Sequence, residues 1–260
     1  MDSSSIQTPS QGNFAAVNGI EMYYEVHGQG TPLVLLHGTP STGQSWQEFI
    51  PSFAEHYQVI VPDLRGYGRS TNPQNDFTHR QLAVDVFTLL DQLRIDEFKV
   101  IGISSGAIAL LHMATQQPNR LTAMVVIGGT PYVPEKARNV LREWLRDSDT
   151  WDLEQFRQEH VRGDEQIRAI IDAQRFTAEN YDDVNFTQPY LASITAETLI
   201  VHGDRDEFFP VSLAVEMYSA IPKAYLWVVP NGGHVCIRDE HAAPFTQTSL
   251  AFLRGDWHTV

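Results

Sequence analysis

Short, continuous runs of mainly apolar residues recur along this chain, and they constrain its fold more than any other feature. They are Pro32 to Leu36, Gln58 to Val61, Phe98 to Ile103, Leu121 to Ile127, Thr198 to Val201 and Tyr225 to Val229. A strand with one solvated face alternates apolar and polar residues, whereas a run without alternation suits a strand buried on both faces. Gly19 to Val26 does alternate, through Ile20, Met22 and Tyr24, and Gly28-Gln29-Gly30 behind it reads as a hairpin-like or simple turn. Between the runs lie segments of helical period. Leu82, Val86, Leu89, Leu90 and Leu93 share one face of Gln81 to Leu93, and Gly106 to Ala114 is small and apolar. Strands alternating with helices predict an α/β fold with a mostly parallel sheet flanked by helices.

The alternation breaks from 131 to 194. Charge rises there (Glu135, Lys136, Arg138, Arg142, Glu143, Glu154, Arg157, Glu159), and helical segments follow one another without strands. Trp144, Trp151, Phe156, Phe176, Tyr181, Phe186 and Tyr190 supply aromatics that either line a pocket or form the core of the segment itself. The simplest organisation is one α/β core, 13–130 and 195–258, interrupted by a helical cap over 131–194 and preceded by a flexible tail over 1–12. The chain has 260 residues, 42% of them hydrophobic, ample for such a core. Its net charge of −14 disfavours nucleic acid, whose binding relies on basic patches. No apolar run approaches the roughly 20 residues that cross a bilayer. The polar, acidic start lacks the pattern of a secretory signal, and Cys236, the single cysteine, leaves no intrachain disulfide to form. A cytoplasmic monomer or homodimer without membrane contact is the expectation.

The most informative residues are Gly102-Ile103-Ser104-Ser105-Gly106, between the strand Lys99-Val100-Ile101 and a helix opening with Ala107 and Ile108. A serine hydroxyl is a poor nucleophile unless a base takes its proton and its Oγ stands clear of packing. A sharp strand-to-helix turn presents it so, with glycines where a Cβ would collide. The helix that starts there aims amide N–H groups at developing negative charge.

Further motifs stand in matching order: Leu35-Leu36-His37-Gly38-Thr39-Pro40, Val61-Pro62-Asp63 through Gly68-Arg69-Ser70, Val201-His202-Gly203-Asp204-Arg205-Asp206, and Asn231-Gly232-Gly233-His234. Together they resemble the α/β-hydrolase fold family, from about residue 14 to 255, with chain order Ser, acid, His. The resemblance implies Ser104 as nucleophile and His234 as base, a loop histidine suited to proton exchange near neutrality. It implies Asp206 as the acid orienting the imidazole, with Asp204, two residues away, the competitor and otherwise a loop hydrogen-bonding residue. It assigns the oxyanion-hole amides to Thr39 and Ser105. Gly38 would allow close backbone approach; His37 and the Asp63 to Ser70 turn would be structural.

Serine at 104 speaks against the haloalkane dehalogenase and epoxide hydrolase branches, which the resemblance gives an aspartate there. No metal-ligand cluster or dinucleotide fingerprint is present, so no cofactor and no metal are implied. The expected activity is hydrolysis of a small-molecule carboxylic ester or lactone through an acyl-enzyme on Ser104. The alternatives are a lactonase for acyl-homoserine or enol lactones, a C–C bond hydrolase of ring-cleavage products and a low-turnover receptor. Perhydrolase or cofactor-free haloperoxidase side activity also stays open. The C–C reading needs a cationic clamp for an anionic substrate, for which Arg138, Arg142, Arg157, Arg162, Arg168 and Arg175 are the candidates.

Overall fold

The computed structural model describes residues 12–148 and 153–258. The expected tail, Gly12 apart, and Trp151 lie outside them. Its strands are β1 (Asn13–Val17), β2 (Ile20–His27), β3 (Thr31–Leu36), β4 (Tyr57–Pro62), β5 (Phe98–Ile103), β6 (Leu121–Ile127), β7 (Glu197–Gly203) and β8 (Ala224–Val229). They form one sheet in the order β1-β2-β4-β3-β5-β6-β7-β8. From β4 across to β8 every pairing is parallel, while β2 runs antiparallel to both β1 and β4. The fold is therefore α/β with a mostly parallel sheet, as the apolar runs require.

The reason for the unbroken runs is visible along each central strand. In β3, Val34 and Leu36 point into one apolar cluster and Leu33 and Leu35 into another. The first cluster takes in α2 (His79–Gln92), α3 (Ser105–Gln116) and α8 (Val211–Ala220); the second takes in α1 (Ile50–Ala54) and α9 (Ala242–Arg254). Each fully buried aliphatic side chain contributes roughly 1.5–3 kcal/mol, so a polar residue on either face of β3 would be costly. Helix α2 begins at Thr78, whose Oγ1 accepts from the Gln81 amide at 2.9 Å, the N-cap that starts the helical period.

Of the two readings of Gly28 to Gly30, the simple turn holds. Gly28 to Gly30 joins β2 to β3, which are not neighbours, so it is a crossing turn rather than a hairpin. The hairpin is one step earlier. Asn18-Gly19, both at positive φ (41° and 81°), closes the β1–β2 pair with Val17 opposite Ile20.

Residues 131–194 contribute α4 (Glu135–Leu145), α5 (Glu154–Glu159), α6 (Asp164–Glu179) and α7 (Gln188–Leu191), with a single bridge, Tyr132 to Asn185, and no strand among the described residues. Leu141, Leu145, Ile167, Ile171 and Ala178 give α4 and α6 an apolar cluster of their own. The order β4-β3-β5 sets the functional edge: the chain leaves β3 to one side and returns to β5 on the other. In open sheets that switch point opens a crevice beyond the carboxyl ends of the strands. The loops after Leu36 and Ile103 meet there.

Candidate active site

Ser104 lies between β5 and α3 at φ 53° and ψ −118°, a region that costs a non-glycine residue about 1–3 kcal/mol. The surroundings hold it there. A Cβ on Gly102 would stand 2.6 Å from the Gly106 carbonyl oxygen, and one on Gly106 would stand 2.5 Å from the carbonyl oxygens of Leu36 and His37. Only glycine permits that crossing of strand and helix. The Ser104 amide donates to the Ile127 carbonyl at 2.9 Å, tying the turn to β6.

Two residues from distant loops reach it. His234 Nε2 lies 2.9 Å from Ser104 Oγ, and His234 Nδ1 lies 2.8 Å from Asp206 Oδ2. The ends of β7 and β8 are pressed together to allow this: a Cβ on Gly203 would fall 2.2 Å from the carbonyl oxygens of Gly232 and Gly233. Asp206 Oδ1 accepts the Phe208 and Phe209 amides at 2.8 and 3.0 Å. Burial pushes the Asp206 carboxyl up, but His234 and those two amides outweigh it and hold the group below its ordinary value, as the anion. The carboxylate fixes the proton of His234 on Nδ1 and leaves Nε2 to accept from Ser104. Phe208 and Phe209 flank the imidazole, with ring centroids 4.9 and 5.5 Å away. Asp204 is elsewhere: its carboxylate is 3.8 Å from Arg205 and partly exposed. The structure thus brings together Ser104, His234 and Asp206 and leaves Asp204 out.

Thr39 and Ser105 also converge. Tyr67 donates to Thr39 Oγ1 at 2.7 Å, and Thr39 Oγ1 donates to Ser105 Oγ at 3.0 Å. Burial drives the Tyr67 hydroxyl well above its ordinary pKa, so it stays a donor. Ser105 is the first residue of α3, where an amide has no acceptor within its own helix. Gly38 brings the loop close: a Cβ there would lie 2.9 Å from the Ser104 Cβ. His37 is fully buried, its Nε2 accepting from the Leu64 amide at 2.9 Å; burial pushes it down to about 4, so it is a neutral spacer between loops.

Two cavities open on Ser104. One, about 670 Å³, is lined by Ile108, Val133, Val140, Leu141, Trp144 and Phe208 among others. Among the described residues its wall carries the carboxylate of Glu207 and no Lys or Arg side chain. The other, about 70 Å³, has Ser41, Ser45, Trp46 and Arg238 in its wall. Arg238 is held by the Ser45 carbonyl and by Glu48 at 3.2 Å. A larger groove, about 810 Å³, lies away from Ser104 between Asn75 to Thr78 and α6.

None of the six arginines proposed as a clamp lines the cavities beside Ser104. Arg138 is buried, bound to the carbonyls of Val133, Thr177 and Ala178 and stacked on Tyr181. Arg142 pairs with Glu135 and Glu179, Arg157 with Glu154 and Asp164, and Arg175 with Asp172. Arg162 donates to the Arg69 carbonyl, and Arg168 lines the distant groove. Of the aromatics in 131–194, Trp144 reaches the large cavity; Phe186 is buried in the core, and Phe156 stacks on His160. Sequence reasoning missed Glu207 and His160, which stand in no chemical motif, and read Tyr67 only as part of the structural Asp63 to Ser70 turn. Among the described residues no group of three or more His, Cys, Asp or Glu stands together as metal ligands do.

The family model of the alpha/beta hydrolase fold matches residues 31–162 of this chain. A soluble epoxide hydrolase from Corynebacterium sp. (strain C12) is 38% identical over 117 residues, 45% of this chain and 41% of that protein. A 2-hydroxy-6-oxo-6-(2'-aminophenyl)hexa-2,4-dienoic acid hydrolase from Metapseudomonas resinovorans is 23% identical over 266 residues, 92% and 90% of the two chains. Among solved structures, a thermophilic esterase from Thermogutta terrifontis superimposes with a TM-score of 0.77 at 21% identity, over 95% of this chain and 99% of that one.

Proposed function

Since the chain belongs to the alpha/beta hydrolase fold family, we propose that it is a serine hydrolase cleaving a neutral carboxylic ester or lactone through an acyl-enzyme on Ser104. The observation that carries this is the unbroken chain Ser104 Oγ, His234, Asp206 at 2.9 and 2.8 Å on a strained turn facing a cavity. In this reading His234 Nε2 takes the Ser104 proton as Oγ attacks the carbonyl carbon. The amides of Thr39 and Ser105 receive the oxyanion; each such donor is worth about 10²–10³ in rate. His234 returns the proton to the leaving alcohol, which in a lactone stays tethered to the acyl group. Water, deprotonated by the same imidazole, then frees the acid. Asp206 holds the tautomer throughout.

Cleavage of a C–C bond is the second reading, because relatives such as the dienoic acid hydrolase match along nearly the whole chain. The cavity weighs against it. A dienoate is anionic; among the described residues the large cavity wall carries the negative Glu207 and no Lys or Arg, and Arg238 on the small cavity is already engaged by Glu48 and the Ser45 carbonyl. Epoxide opening through an alkyl ester asks for a carboxylate nucleophile, and residue 104 is serine. Among the described residues no helix is long and apolar enough to cross a bilayer.

The test is a side-by-side assay of p-nitrophenyl esters of increasing acyl length, γ- and δ-lactones, and a dienone acid, with fluorophosphonate labelling mapped by mass spectrometry. Label on Ser104 and turnover of the neutral substrates is the expected result. Turnover of the dienone acid alone would transfer the assignment to C–C hydrolysis.

A further inference from the structure

His160, between α5 and α6 in the inserted segment, is 1% exposed and bridges two loops of the core. Its Nδ1 accepts from the Gly68 amide at 3.0 Å, and its Nε2 donates to the Pro40 carbonyl at 2.8 Å. The first bond fixes the tautomer, because a nitrogen that accepts an N–H carries no proton. Pro40 follows Thr39 directly. Gly68 follows Tyr67, whose hydroxyl donates to Thr39 Oγ1. One imidazole therefore holds both the loop bearing Thr39 and the loop that buttresses it. Phe156 lies beside the ring, 6.4 Å between centroids with 20° between planes.

Neighbouring residues of the insertion hold only one of those loops. Gln166 donates to the carbonyls of Gly66 and Gly68, both at 3.0 Å, and Arg162 to that of Arg69 at 2.8 and 2.6 Å. Of these three, His160 alone also touches the segment carrying Thr39.

We propose that His160 is a positioning residue for the oxyanion hole, fixing the Thr39 amide through the Pro40 carbonyl and so making the inserted segment part of the apparatus that stabilises the transition state. This rests on the reading of Ser104 as nucleophile. The hole must meet an oxygen that has moved out of the ester plane, and a donor displaced by a few tenths of an ångström loses most where charge is greatest. Loosening Pro40 therefore acts on the transition state and leaves ground-state binding in the cavity nearly untouched.

Two variants separate the ring from its bonds. H160F keeps a flat ring against Phe156 and loses both hydrogen bonds; H160N keeps an acceptor for the Gly68 amide and loses the bond to Pro40. Each should lower kcat about tenfold or more with KM within about twofold, a fraction of the 10²–10³ that follows loss of a whole oxyanion donor. H160Q, whose amide reaches toward Pro40, should recover part of the loss. The inhibition constant of a trifluoromethyl ketone, which forms a tetrahedral adduct with its oxygen in the hole, should weaken by the same factor as kcat/KM. A lower Tm with kcat and the ketone constant both within twofold of wild type would overturn the proposal, and so would a raised KM at unchanged kcat. Should H160F not fold, H160N decides alone. Failure of the underlying reading shows differently: the wild-type protein itself would neither take the fluorophosphonate on Ser104 nor turn over an ester.

Discussion

Two Asp–His pairs of nearly equal length occupy this molecule, and they do different things. Asp206 and His234 are 2.8 Å apart at the carboxyl edge of the sheet; Asp183 and His79 are 2.7 Å apart where the loop after α6 meets α2. In both, the carboxylate also accepts backbone amides, those of Phe208 and Phe209 in one and of His79 and Arg80 in the other. The difference is on the far side of the imidazole. His234 Nε2 faces a hydroxyl on a strained turn beside a cavity, whereas His79 Nε2 is buried with no hydrogen-bond partner. The Asp183 carbonyl takes a further bond from His112 at 2.7 Å, which closes that cluster on itself. A short Asp–His contact is thus only an orienting device, and access and a third group decide what it orients for.

That contrast can be tested in descending order of effect. Ser104→Ala removes the group that distinguishes the first pair, so ester turnover should fall by about 10⁶ with the Tm unchanged; activity within tenfold of wild type would sink the nucleophile assignment. Asp206→Asn should cost about 10⁴ in kcat by presenting the wrong tautomer, while Asp204→Asn stays within about threefold; steady-state rates on one ester compare the two. Asp183→Ala should do the opposite. It strands the buried His79 donors and costs about 3 kcal/mol, or roughly 5–10 °C in Tm, with kcat changed less than about threefold. Calorimetry alongside rate measurements checks it, and a rate loss larger than the stability loss would join the second pair to the chemistry.

The last effect is in pH, and it grows only gradually as acid is added. Burial pushes His37 and His112 down to about 4, below the value near 6.5 expected of the unfolded chain. Between those values the unfolded state takes up protons that the folded state refuses. Stability is therefore complete above about pH 6.5 and declines as pH falls toward 4, by a few kcal/mol. Denaturation midpoints from pH 7.5 to 4.5 should show the decline, and His112→Gln should flatten it.

Much of the fold was legible because burial on both faces leaves a mark in sequence: β3, β4, β5, β6, β7 and β8 are the unbroken apolar runs. The edge strand β1 was not, since only Val17 of Asn13–Val17 is buried and no run forms. Asn18-Gly19 was the available signal, a two-residue hairpin turn. Helix α9 also went unread, although Phe245, Phe252 and Leu253 stand at helical spacing. At the candidate site, Ser104, His234 and Asp206 stood out because glycines bracket or precede them in motifs of fixed order, and these are the side chains found within hydrogen-bond distance. Tyr67 lay in a motif read as a structural turn, whereas His160 could not stand out. The partners of His160 are main-chain atoms, and no residue type at Pro40 or Gly68 announces a histidine 120 or 92 positions away.

The same dependence on main-chain atoms has a consequence for how this architecture changes over time. His160, Arg162 and Gln166 grip carbonyls and an amide of residues 40 and 66–69, and such groups are present whatever side chains those positions carry. The seat of residues 154–179 thereby depends on the backbone path of those loops, which Gly66 and Gly68 hold at positive φ (80° and 54°), and not on the side chains they present. A change of side chain at 40, 67 or 69 leaves those main-chain grips in place, whereas a change at 66 or 68 would shift them.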